Sequence, residues 1–185
     1  MKAKAFSFGA REQGVALIMS LVMLLILTIL GISSVQTTSM QERMTINARD
    51  NDLAFQAAES AVREAEIFLN TNTSLLIFQN ANTNGYYDVP DNGSVDLSSF
   101  DWADASNDSR GFLTVSTTIG GVASQPVYII EWVRTVVSQE DTLNLNNIGQ
   151  DTGAGRTQMF RVTAYGTGGT SSAHVMIQTT FGKRF

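Results

Sequence analysis

Between Glu12 and Glu42 the chain carries no charged residue, and the stretch Val15 to Val35, VALIMSLVMLLILTILGISSV, is broken only by Ser, Thr and one glycine. As an α-helix such a run spans ~31 Å, the thickness of a bilayer's hydrocarbon core. A helix that is apolar on every face has no side to offer to water, so it needs lipid or a shell of other apolar helices. The flanks orient it. Lys2, Lys4 and Arg11 stand against Glu12 before the run, and the mixed pair Glu42 and Arg43 comes after it. The positive-inside rule therefore puts residues 1–14 in the cytoplasm and everything beyond about residue 40 across the inner membrane.

Residues 1–14 hold three of the 12 basic residues and one of the 17 acidic ones, so the remainder carries −7 where the whole chain carries −5. An exported part this acidic is a poor ligand for nucleic acid. There is no cysteine, so the exported part holds together by packing and hydrogen bonds without disulfides.

Three readings of the N-terminal segment compete. A cleaved secretory signal would have a shorter apolar region and an A-x-A site, and QTTSMQERM offers none. A plain membrane anchor fits the length and flanks. The third reading turns on the residues C-terminal to the run. No glycine occurs between Gly31 and Gly85, and the first proline is Pro90. In NDLAFQAAESAVREAEIFL, Ala54, Ala57, Ala58, Ala61, Ala65, Phe68 and Leu69 recur at spacings of three and four, which lines one face of a helix. Glu59 and Arg63 stand four apart in the favourable order on another face. Val15 to about Asn70 thus reads as one long helix, apolar first and amphipathic afterwards. Its weakest part by propensity is Val35 to Asn51, rich in Thr, Ser and Asn, where a kink or a locally melted turn would be no surprise.

A basic leader ending in glycine, an all-apolar half-helix, an amphipathic continuation and a C-terminal domain resemble a type IV prepilin, and more closely the PilX-type minor pilins. The resemblance is carried by QGVALIMSLVMLLILTILGISSVQTTSMQERM, by NARDNDLAFQAAESAVREAE and by FRVTAYGTGGTSSAHVMIQTTF. It implies that a membrane-embedded prepilin peptidase cuts after the glycine, between Gly14 and Val15, and that the new N-terminus is commonly methylated. Glycine suits that position because it leaves no side chain beside the scissile bond. The resemblance also exposes a departure. Most pilins carry Glu as the fifth residue after the cleavage glycine, and here that residue is Met19. A carboxylate in apolar surroundings is costly unless paired, so Met19 removes both that cost and a handle for docking on a neighbour. Pilin-like subunits without this Glu are associated with the fibre tip.

After Asn70 the composition shifts to Asn, Asp, Ser and Gly, with apolar islands LLIF and YYDV that read as brief strands or a surface helix. FLTVSTTI, VYIIEWVRTVV, MFRVTAYGT and HVMIQTTF then read as strands. The expected fold class is α+β and pilin-like: a long N-terminal helix packed on an antiparallel sheet of about four strands. The expected parts are a leader at 1–14, a helix at 15–70 with its membrane and assembly half at 15–35, and a β-rich domain at 71–185. The loops 79–110 and 138–158 are candidates for partner contacts. Gly166, Gly168 and Gly169 read as a turn before the last strand, and no phosphate-loop Lys comes after them.

Chemistry has little to work with. His174 is the single histidine, no G-x-S-x-G surrounds a serine, and no second zinc ligand is at hand. Asp88, Asp91, Asp96, Asp101, Asp104 and Asp108 form an acidic run whose spacing does not fit a calcium loop. Solvated Asx turns account for it. The chain therefore reads as no enzyme, without catalytic, cofactor or metal residues.

Together these features give a minor pilin, inserted in the inner membrane, cut after Gly14 and passed to the pilus or its tip. By resemblance it helps prime pilus assembly, which supports twitching motility, attachment and DNA uptake. Its expected partners are other minor pilins, the major pilin, the prepilin peptidase and a tip adhesin. The alternatives are a minor pseudopilin of a type II secretion system and an uncleaved bitopic membrane protein with a ligand-binding periplasmic domain.

Overall fold

The structure, a computed structural model, describes residues 12–79, 82–92, 95–102, 111–137 and 156–184. The leader up to Arg11 lies outside them, as do residues 138–155 of the expected loop 138–158, whose last three residues are instead strand. The chain divides into two compact units, Met1–Ile46 and Asn47–Phe185.

In the first unit the described residues belong to helix α1, which runs from Glu12 to Thr71. Every residue there from Gly14 onward is exposed. The helix is long and apolar enough to cross a membrane, with a mean hydropathy of 2.9 over its most apolar window. Its few hydroxyls are satisfied internally. Ser20 donates to the Leu17 carbonyl at 2.8 Å and Thr28 to Leu25 at 2.7 Å. Thr37, Thr38 and Thr45 bond back to Ser33, Ser34 and Gln41 at 2.9–3.1 Å. Such back-bonding lets Thr sit in a helix without leaving a polar group unpaired. No melted turn occurs between Val35 and Asn51, and α1 is helical throughout that stretch.

The second unit is the tail of α1 on a six-stranded sheet. Its strands are β1 (Asn82–Thr83), β2 (Tyr86–Asp88), β3 (Leu113–Thr114), β4 (Val127–Val137), β5 (Arg156–Thr167) and β6 (His174–Lys183). The order is β1-β2-β4-β5-β6, with β3 also on β4. The helix-on-sheet, α+β arrangement is as expected. The sheet itself differs in two ways. It is mixed, because β2 pairs parallel to β4, with Tyr86 opposite Ile130 and Asp88 opposite Trp132. And FLTVSTTI contributes only two ladder residues, Leu113 and Thr114. Val115 still donates to the Pro126 carbonyl at 3.2 Å, and beyond it side chains take up the chain's backbone groups. The Glu64 carboxylate accepts from the Ser116 N–H at 3.0 Å, and Gln125 bonds both backbone groups of Ile119 at 2.9 and 3.0 Å. Of the two apolar islands, LLIF is a turn that buries Phe78, and YYD becomes β2.

Both faces of the first half of β4 are covered, which is why the apolar run Val127–Ile130 suits it. On one face Tyr128, Ile130, Phe160, Val162 and Ala164 pack against Ala61, Ala65 and Leu69 of α1 and against Phe78. On the other, Ile129 and Tyr165 meet Tyr87, Phe100 and Trp102. The edge strand β6 alternates between half-buried and exposed positions.

Candidate assembly surface

Gly14, Val15 and Met19 all lie on α1 and face solvent. Among the described residues, a Cβ built on Gly14 would meet no atom within 4 Å outside its chain neighbours and its own helix backbone. Val15 is 62% and Met19 65% exposed. From Val15 to Val35 every large apolar side chain is exposed and no charge is present, so this surface can be satisfied only by lipid or by other apolar helices. A Glu at position 19 would have no cation within the apolar stretch to pair with.

The second unit turns the same helix into a scaffold. Ala54, Ala57, Ala58, Ala61, Ala65 and Leu69 are at most 1% exposed, and Phe68 packs beside them. Small side chains permit a close approach, and Gly166 completes it. The glycine lies on β5, not in the following turn as its sequence context suggested, and a Cβ on it would stand 2.4 Å from the Ala58 nitrogen and 2.6 Å from the Ala54 carbonyl oxygen. Only a residue without a side chain lets the strand run this near a helix backbone.

Polar contacts fasten the rest. The Lys183 ammonium, near the end of β6, donates to the carbonyls of Leu69 (2.6 Å), Asn70 (2.8 Å) and Asn72 at the C-terminus of α1. These carbonyls have no helical partner, and a cation there also meets the negative end of the helix dipole. Glu131 is fully buried opposite Arg161 on β5, and the guanidinium donates to its two oxygens at 2.7 and 2.6 Å. That pairing raises the Arg161 pKa above its usual value. Glu59 and Arg63 form the expected surface pair at 2.6 Å. Burial, with the Glu64 charge and Tyr86 adding to it, pushes the Tyr128 phenol up to about 12.

His174 is exposed at the start of β6 with its ring stacked on Tyr165 at 5.7 Å. Of the acidic run, Asp88 is buried in β2, Asp96 caps a single 3-10 turn by accepting from the Ser98 N–H at 3.0 Å, and Asp101 is exposed. Asp104, Asp108 and the side chain of Asp91 lie outside the described residues. Among the described residues no group of three or more His, Asp or Glu is placed to hold a metal.

Residues 13–63 match the family model PilX N-terminal, and residues 69–183 match Type IV pilus assembly protein PilX C-term. The chain belongs to the PilX family of type IV pilus assembly proteins. No curated protein and no solved structure matches it. Membership makes the chain a type IV pilus assembly component that works with other pilus components, in a family of assembly proteins and not of enzymes. The exposed apolar half of α1 is the part suited to anchoring such a component in a membrane.

Sequence reasoning located this surface but missed most of the fastenings. Lys183 and Gly166 gave no local sign of their partners, which lie more than a hundred residues away on α1. Glu131 did leave a trace, as the one charge inside VYIIEWV. A buried carboxylate needs a cation, and Arg161 on the neighbouring strand supplies it.

Proposed function

We propose that this PilX-family chain is a minor pilin that helps prime pilus assembly at the fibre tip. It is inserted with residues 1–14 in the cytoplasm and the domain beyond the helix in the periplasm, and it is cut between Gly14 and Val15. Removing the charged leader frees the stretch Val15–Val35 to exchange lipid neighbours for the equivalent helices of other pilins. Motility and attachment then result from the pili it helps to start, in company with other minor pilins, the major pilin and a tip adhesin.

The observation that carries this reading is the placement of Met19. It stands five residues after Gly14 on an exposed, charge-free stretch of α1. A subunit without a carboxylate there has no group to meet the amine of the next subunit ahead, as suits the end of a fibre. Two measurements test the parts separately. Intact-mass and N-terminal peptide spectrometry of the membrane-extracted chain, with and without the host's prepilin peptidase, should show a chain starting at Val15 only with the peptidase. Immunogold labelling of sheared pili should then place the chain at fibre ends, and label spread evenly along the shaft would refute the tip assignment.

A further inference from the structure

Where the second unit begins, at Asn47, α1 is attached to the sheet in a manner unlike that of its later turns. The Asp50 carboxylate accepts hydrogen bonds from the Gly169 N–H, from the Thr170 N–H at 3.2 Å and from the Thr170 hydroxyl. Gly168 lies so near that a Cβ on it would stand 2.4 Å from the Asp50 carbonyl oxygen. The turn receiving Asp50 is braced from behind. Ala123 donates to the Gly168 carbonyl at 2.7 Å, Gly168 to Ala173 at 2.8 Å, and the Ser124 N–H to the Thr167 hydroxyl at 3.0 Å.

We propose that Asp50 is a clasp that opens independently of the core, so that Asn47–Leu53 leaves the β5–β6 turn while Ala54–Leu69 stays seated. The two attachments differ in the physics of release. The seam from Ala54 to Leu69 is buried and apolar, and parting it exposes apolar surface along with the backbone face around Gly166. The clasp ends on a carboxylate at the protein surface, where water can replace each hydrogen bond as it breaks. Asn51 and Asp52 beside it are exposed and Leu53 is only half-buried, so little apolar area holds this turn down. Segments with few buried apolar contacts and solvent-facing hydrogen bonds are those that open locally. The opened form lets the helix flex up to Ala54 without loosening the sheet. For a subunit drawn into a fibre by its helix, a use that rests on the function proposed above, this gives slack before the core bears load. The opening itself is a property of the chain and is testable apart from that use.

The test is hydrogen exchange of the full chain in detergent micelles, resolved to single amides around Gly169 and Thr170. The wild-type chain should exchange these two amides faster than Phe160–Tyr165 of β5. Asp50→Ala should speed them several-fold more and leave β5 and Ala57–Leu69 unchanged, with Asp50→Asn, which keeps one acceptor oxygen, between the two. Equal acceleration of all segments, failure of Asp50→Ala to fold, or protection of Gly169 and Thr170 equal to that of β5 in the wild-type chain would each overturn the proposal. So would an Asp50→Ala chain that exchanges at the wild-type rate.

Discussion

Replacing Gly166 by alanine adds a single methyl, and the structure says where it goes. The new Cβ would sit 2.4 Å from the Ala58 nitrogen, 2.6 Å from the Ala54 carbonyl oxygen and 3.0 Å from the Ala58 Cα. All three are backbone atoms of α1, so no side chain can swing aside. Ordinary contact needs ~3.5 Å or more, which requires α1 to lift from β5 by ~1 Å. The five alanines at 54, 57, 58, 61 and 65 then lose contact together. With roughly ten contacts per methyl at ~0.15 kcal/mol each, a gap of this size forfeits a quarter to a half, or ~2–4 kcal/mol. Relief from glycine's conformational entropy in a strand returns ~0.5–1 kcal/mol. The expected net loss is ~1–3.5 kcal/mol, close to the usual range for overpacking. The matched control is Gly182→Ala on β6, where the added methyl meets only the Met159 sulfur and the Thr157 methyl at 3.3 Å. Those side-chain ends yield, so that variant should be neutral or slightly more stable. Urea unfolding of the full chain in micelles, followed by near-ultraviolet circular dichroism of Trp102 and Trp132, compares the two. A Gly166→Ala chain as stable as wild type, or one no worse than Gly182→Ala, would show that the close approach is not what the glycine is for.

Arg161→Met leaves the Glu131 carboxylate buried without its cation, and should cost ~3–5 kcal/mol. Adding Glu131→Leu to it should recover much of the loss, and a double variant no better than the single would refute the pairing argument. Lys183→Met strips the carbonyls of Leu69, Asn70 and Asn72 of their donor and should cost ~1.5–3 kcal/mol. Proteolysis or hydrogen exchange should locate that loss in the last turn of α1 and the end of β6. The Tyr128 phenol, raised in the folded chain to about 12 from 10.0, favours the neutral folded form. Its contribution to stability is therefore complete below pH ~10 and lost as the pH rises to about 12. An absorbance titration near 295 nm should show a late phase that vanishes in Tyr128→Phe.

The first half of α1 was legible residue by residue because its constraint is local. A run without charge as long as a bilayer is thick admits few structures, and Gly14 and Met19 are read by counting along it. The alanine stripe was legible for a similar reason, since a 3.6-residue period belongs to the helix alone. The strands β4, β5 and β6 announced themselves by composition, but their neighbours did not. That YYD would enter beside β4 in parallel, and that FLTVSTTI would keep only two residues in the sheet, depended on which distant groups took up each backbone amide. For FLTVSTTI, Glu64 from α1 and Gln125 from six residues beyond Ile119 settle that competition, and neither leaves a mark in the strand it affects. The same holds for Gly166. In sequence it resembles a turn residue, and only its approach to Ala54 and Ala58, over a hundred positions earlier, makes it part of the helix seat. The chain's behaviour in a membrane is set by hydrophobicity summed over consecutive residues. The fastening of its domain is set by pairings between residues far apart, where the entropy of closing the loop is offset by burial and hydrogen bonds that exist only once the fold has formed.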